Sequence, residues 1–328
     1  MRIVTPVALV LALHALASAC TSTPDDSELT SDTGAGKADA SRTASPDQPA
    51  VIEVTARNHV EFALSTNQVP SGWTTLRLRN ETHAVHFGFL VRLPEGRTIE
   101  DYKQVITPLF QNLIDQASGR PLTTPELGTD LPSWYGDMQF MGGPGLLAPG
   151  RTGEVTINLR PGVYVIECYI KAPDGRLHSF LGMVDQIDVT DDASPAREPT
   201  SDVTMTLSID SGIVVQDSVR SGERTIAVHF KDQKVYENFA GHDVHLVRLD
   251  DEAKVDELVA WIGSPTGLEE SVPVEFLGGT HDMPAGSTAY LTVRLEPGTY
   301  AWVAEVPNAA ERGFLKRFTV AGGQVASR

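Results

Sequence analysis

The chain predicts an all-β protein built as two tandem β-sandwiches, each with a short helical insertion. Three observations carry that expectation. Short runs of β-branched and aromatic residues alternate apolar with polar side chains, Pro-Gly and Gly-rich turns separate the runs, and one stretch of sequence occurs twice. Alternation buries one face of an antiparallel strand and leaves the other wet, so runs of this length and spacing read as the strands of a sandwich. With 328 residues, 41% of them hydrophobic, the chain has material for about two packed cores.

The N-terminus reads as a targeting segment, residues 1–19, that takes no part in the fold. Met1-Arg2 precedes an apolar run, IVTPVALVLALHALA, and the small residues Ala17, Ser18 and Ala19 stand before Cys20. The run is shorter than the roughly 20 residues a membrane-spanning helix needs. LASAC resembles the cleavage box of bacterial lipoproteins, with Leu16 one place earlier than usual. That resemblance implies a lipid on Cys20, an anchor to the bacterial membrane and an extracytoplasmic protein. Thr21, rather than an aspartate, then implies the outer membrane if the cell has two. An ordinary secretory signal that happens to end near a cysteine is the plain alternative. Residues 20–50 are small, polar and Pro-containing, and cannot bury enough apolar area to fold; they read as a flexible tether.

A first domain is expected over 51–190. VIEVTA, TTLRLRN and GEVTINLRPGVYVIECYI supply its alternating strands. TIEDYKQVITPLFQNLIDQ, residues 98–116, places Ile99, Tyr102, Ile106, Leu109, Phe110 and Leu113 on one helical face after a Thr cap, which suits a helix covering one end or edge of a sandwich. DDASPAREPTS marks a linker at 191–201. A second domain follows over 202–321, with STAYLTVRLEPGTYAWVAEV as strands and KVDELVAWIG, 254–263, as a shorter helix. Phe140–Cys168 and Phe276–Ala304 align without a gap and share 10 of 29 positions, including Gly142/Gly278, Pro161/Pro297, Gly162/Gly298 and Tyr164/Tyr300. HFGFLVRL from His86 aligns in the same way with HDVHLVRL from His242. Shared turn glycines require a shared backbone, so the second domain reads as a copy of the first.

A formal net charge of −17 repels phosphate backbones and argues against nucleic acid as a partner. No nucleophile elbow or phosphate-binding glycine loop appears.

The chemistry-bearing stretch is ECYIKAPDGRLHSFLGM, residues 167–183. Asn80 with His86, then Pro161-Gly162-Val163-Tyr164 leading to Cys168, then His178 with Gly182-Met183, resemble the ordered elements of the cupredoxin, or blue-copper, family. The resemblance covers the first domain apart from 95–139, and reaches the second through the repeat. It implies Greek-key sandwiches and one copper ion in the first domain, with His86, Cys168 and His178 as equatorial ligands and Met183 as the axial one. A thiolate, two imidazoles and a distant thioether form a set that suits copper cycling between two oxidation states. Nine residues, YIKAPDGRL, separate Cys168 from His178. Small electron carriers of the family have fewer, whereas copper nitrite reductases also carry a long loop. The plain alternative is a cysteine buried as a small apolar residue, although a free thiol in an exported protein calls for an explanation. His83 competes with His86 for the early position, but the repeat pairs His86 with His242. His59 reads as a surface residue.

The second domain has Ala304 at the cysteine position, and aligning HSFLGM with RGFLKR sets Arg312 and Arg317 at the His178 and Met183 positions; guanidinium groups do not ligate. His242, His245 and His281 could form a separate site, but GHDVHLV is expected to put two histidines on strand and turn surfaces. The residues flanking Cys168 are Glu167 and Tyr169, not the histidine that wires multicopper enzymes, which argues against an enzyme. Two functions are left: a lipid-anchored copper protein for electron transfer or copper handling, with a redox or copper-exchange protein as partner, or a metal-free binding or structural module. A packed Cys168–His178 loop would favour electron transfer; an exposed, flexible one would favour copper exchange.

Overall fold

A computed structural model describes residues 47–249, 251 and 254–321. The expected signal, Cys20 and nearly all of the tether lie outside the described residues. Among those residues the chain forms sixteen strands and a few short helices, so the all-β expectation holds. The first sandwich contains β1 (Ala50–Arg57), β2 (Glu61–Leu64), β3 (Gln68–Asn80), β4 (Phe89–Arg92), β5 (Gln139–Phe140), β6 (Thr152–Leu159), β7 (Gly162–Glu167) and β8 (Val184–Ala193). The second contains β9 (Val203–Ser208), β10 (Gly212–Val215), β11 (Gly222–Phe230), β12 (Val244–Arg248), β13 (Glu275–Thr280), β14 (Thr288–Leu295), β15 (Gly298–Val303) and β16 (Leu315–Val320).

The first sandwich has one sheet in the order β2-β1-β3-β6 and a facing sheet in the order β3-β8-β7-β4-β5. β3 serves both. Its start pairs in parallel with β8, the register slips between Pro70 and Ser71, and from Gly72 onward it pairs antiparallel with β6. Gly72 takes φ +115°, which a side chain would resist, so the bend falls where the sequence provides a glycine. Alternation along β1 and β3 places Ile52, Val54, Leu76 and Leu78 in the core, each contributing about 1.5–3 kcal/mol by leaving water. The second sandwich follows the same plan, with β10-β9-β11-β14 facing β13-β12-β15-β16. The Pro-Gly turns behave alike in both. Tyr164 Oη donates to Arg160 O at 2.8 Å, and Tyr300 Oη donates to Glu296 O at 2.8 Å.

The two sandwiches are not beads on a string. β14 pairs antiparallel with β6, Leu291 opposite Val155, so the two open sheets join edge to edge. Unpaired edges recruit partners, and here each sandwich caps the edge of the other. β8 runs on to Ala193, three residues into the expected linker.

The first helical insertion begins as α1 (Ile99–Asp101), capped by Thr98, whose hydroxyl accepts from Asp101 N while the Asp101 carboxylate accepts from Thr98 N. A wider π turn, Tyr102–Ile106, follows, then α2 (Thr107–Ala117). Pro108 has no N–H to offer and its ring crowds the preceding turn, so the ladder widens immediately before it. α3 (Val255–Ile262) is the insertion of the second sandwich.

Candidate metal centre

Four hydrogen bonds of one asparagine set the first histidine in place. Asn80 is fully buried at the end of β3. Its amide donates to Ala84 O at 2.8 Å and Leu147 O at 2.9 Å, and its carbonyl accepts from the backbone and hydroxyl of Thr82. The turn 81–85 is thereby pinned to the segment carrying Leu147, between β5 and β6. His86 then exchanges both backbone hydrogen bonds with Leu147, which aims its ring inward. His83, on the same turn, is exposed.

Cys168 follows β7. Its N–H donates to Met183 O at 3.2 Å, and Met183 N–H donates to His178 O at 2.8 Å, so the cysteine and the loop carrying His178 and Met183 are tied at the backbone. All four residues are completely buried. Cys168 Sγ lies 3.6 Å from His86 Nδ1 and 3.8 Å from His178 Nδ1. The three donor atoms lie within 4.8 Å of one another. An ion bonded to sulfur at about 2.3 Å and to nitrogen at about 2.0 Å with trigonal angles needs an S···N separation of about 3.7 Å. The two observed S···N separations match that value.

Electrostatics prepare two of the donors in opposite ways. Burial, then the neighbouring His178 and His59, lowers His86 to about 3, which keeps its ring neutral and its lone pair free. His86 Nε2 is buried with no hydrogen-bond partner. Burial raises the Cys168 thiol to about 12, so the sulfur keeps its proton until a cation replaces it.

His178 Nε2 faces Glu270 Oε1 at 2.9 Å, an orientation that turns Nδ1 toward the sulfur. Glu270 belongs to the second sandwich and also pairs with His59. His59 is exposed, as expected, and its ring stands 5.6 Å from that of His178. Glu270 was not legible in the sequence, since it sits 92 residues from His178 in GLEES, a stretch with no ligand spacing. The same segment clamps the loop between the ligands: Lys171 N–H donates to Leu268 O, Glu270 N–H donates to Lys171 O, and Lys171 bridges back to Leu177. Ile170, Lys171, Ala172 and Leu177 are buried; only the loop tip is exposed.

The corresponding place in the second sandwich is filled by carbon. Ala304 N–H donates to Phe314 O, as Cys168 does to Met183, so strand pairing sets Phe314, not the expected Arg317, opposite Met183. Phe314 stacks on His242 at 5.2 Å. Arg312 instead reaches outward to Glu237 at 3.2 Å.

The two histidines of GHDVHLV expected on surfaces, His242 and His245, are buried, as is His281. His242 packs against Tyr236 and Phe314 of its own sandwich, while His245 and His281 meet Leu146 and Phe87 of the first. Asp243, His245, His281 and Glu305 form a tight polar cluster. Leu146 N–H donates to His245 Nδ1 at 3.1 Å, so the ring carries its proton on Nε2, directed at Asp243 Oδ2, 2.7 Å away. A cation there would first have to displace that proton, and the arrangement is that of a hydrogen-bonded network.

No family model and no curated protein matches the chain. Solved structures do. A reduced auracyanin from Roseiflexus castenholzii is 19% identical, with a TM-score of 0.26 over 44% of this chain and 98% of its own. Auracyanin A, a blue copper protein from Chloroflexus aurantiacus, is 15% identical, with a TM-score of 0.27 over 43% of this chain and 99% of its own. A copper nitrite reductase from Nitrosomonas europaea is 13% identical, with a TM-score of 0.23 over 84% of this chain and 95% of its own. Overlaps this shallow assign no chemistry; what the cavity binds is decided by its own donors.

Proposed function

We propose that this chain is a copper-binding electron-transfer protein, lipid-anchored through Cys20 at the extracytoplasmic face of a bacterial membrane, with one ion held in the first sandwich by His86, Cys168 and His178 and by Met183 as axial ligand. The observation that carries the reading is the pair of S···Nδ1 separations, 3.6 and 3.8 Å, in a buried cavity. Copper in such a set supplies a one-electron couple. The residues supply the rest. Asn80 and Leu147 hold His86, Glu270 orients His178, and the sandwich keeps water out. Ligands held this firmly move little when the charge of the ion changes, which suits electron transfer. The clamped loop between Cys168 and His178 supports the same choice over copper exchange. The second sandwich we read as a degenerate copy whose ligand positions were filled by Ala304 and Phe314. A redox protein is the partner this function requires.

A metal-free module is the competing reading, and the high thiol pKa is what a core cysteine also shows. The full chain, purified without metal and titrated with Cu(II), separates the two. The copper reading expects an intense thiolate-to-copper band that saturates at one equivalent and disappears in Cys168→Ser, His86→Ala and His178→Ala, with far-UV circular dichroism unchanged. A featureless titration, with Cys168 slow toward thiol reagents, makes it a core cysteine. The anchor is tested by fractionation: Cys20→Ala should release the protein from the membrane fraction, and retention there would sink the lipid assignment.

A further inference from the structure

A second cavity lies between the first helical insertion and the loops of the second sandwich. Its wall is largely apolar and aromatic: Phe89, Phe110 and Phe140 from the first sandwich, Phe239 and Leu268 from the second. Three carboxyl side chains, Glu167, Asp282 and Glu305, also line it, and all three are buried. Among the lining residues the one basic side chain is Lys171, whose ammonium donates to Pro265 O at 3.1 Å. The wall thus carries three carboxyl groups against one ammonium.

Two acceptor atoms of the wall are short of donors. Glu305 Oε1 is buried, and its ion-pair partner His245 Nε2 stands 3.3 Å away and closer to Asp243 Oδ2, at 2.7 Å. Asn238 Oδ1 is likewise buried without a donor, while its amide is used by Glu305 O at 2.7 Å. Leaving such atoms unpaired costs about 1–3 kcal/mol each, which a visiting N–H group would offset. Phe239 stands at the mouth, 38% exposed, with φ +70°, a conformation that aromatic residues rarely hold. Apolar walls with a few convergent polar groups are the ordinary make-up of a small-molecule site, and aromatic faces beside carboxylates favour a cation.

We propose that this cavity binds a small primary amine with an aromatic tail, the ammonium meeting Glu305 and Asn238 and the ring lying among the phenylalanines. The assignment stands on cavity-wall residues alone, so it holds or fails apart from the copper reading.

Calorimetry on the full-length protein, copper-free and copper-loaded, tests it with three probes of one shape: 2-phenylethylamine, 2-phenylethanol and 3-phenylpropionate. The amine should bind at one equivalent in both forms, at least tenfold more tightly than the alcohol, and the carboxylate should not bind. Glu305→Gln should weaken the amine about tenfold and leave the alcohol unchanged, and Asn238→Ala, on a loop, should weaken it with the fold intact. Equal affinity for amine and alcohol, preference for the carboxylate, or no heat with any probe on the parent protein overturns the proposal. The parent series needs no variant to fold.

Discussion

Glu270 illustrates how one carboxylate acts on a site without touching its centre. It holds His178 by Nε2, and such partners typically change metal affinity by about 10–100-fold. Glu270→Gln should therefore weaken Cu(II) binding by about that factor while keeping the thiolate band, read by competition against a chelator; unchanged affinity would make Glu270 a bystander. Asp282 offers a pH test. Burial, then Asp243 and Glu305, raises its carboxyl from 3.8 to about 8. Between those values the unfolded chain has lost a proton that the folded one keeps. This contribution to stability is therefore present at low pH and lost as pH rises toward 8, by up to about 1.4 kcal/mol per unit. Asp282→Asn should flatten the decline in melting temperature between pH 6 and pH 8.5; an equal decline in both proteins would place its cause elsewhere. Cys168, His86, His178 and Met183 were legible as a set because their order along the chain is distinctive. Nothing in the sequence marked Glu270 or Glu305, since each works across a fold boundary.

At the scale of elements, the turn 81–86 and the loop 169–178 decide whether the donors converge. Asn80→Ala removes the pin on the turn, leaving Leu147 O with His86 N–H alone and Ala84 O with the Thr82 hydroxyl alone. The expected cost is about 1–3 kcal/mol of stability, with a larger loss of copper affinity than of fold. Chemical denaturation beside metal titration measures both, and wild-type affinity in a destabilised variant would separate Asn80 from the site. Gly143 is the second such point. It takes φ +106°, and a Cβ there would stand 2.0 Å from Gly88 O, beside β4. Gly143→Ala should therefore strain the approach to β4 and lower the melting temperature measurably; an unchanged one would show that the strand can shift. Strand positions and the Thr98 cap were readable because period and capping chemistry are local. The π turn before Pro108 and the bend of β3 between two sheets were not read, because each depends on what packs against the chain.

The whole molecule adds what neither sandwich has alone. The second sandwich supplies Glu270, the Leu268–Glu270 clamp on the ligand loop, and β14 against the edge of β6. Residues 47–193 by themselves would expose that edge and free the loop. We expect this fragment to aggregate more readily and to release copper to a chelator at least tenfold faster than the full chain. Equal release rates would mean that the loop is held from within the first sandwich and that the clamp is incidental.

By itself the sequence determined the all-β class, the two sandwiches, the turns and the helical insertions. These follow from side-chain periodicity and backbone preferences that act over a few residues. It also singled out the candidate donors and Ala304 as the residue that its repeat alignment sets at the cysteine position. Only the tertiary structure decided that Cys168 Sγ stands 3.6 and 3.8 Å from the Nδ1 atoms of His86 and His178, that Phe314 rather than Arg317 takes the place matching Met183, and that His242 and His245 are buried rather than exposed. It alone joined the sandwiches through β6 and β14 and placed a cavity between them. The physical reason is common to all of these. They are set by which surfaces are removed from water when distant segments pack, and a linear pattern records how a segment is built but not what will cover it.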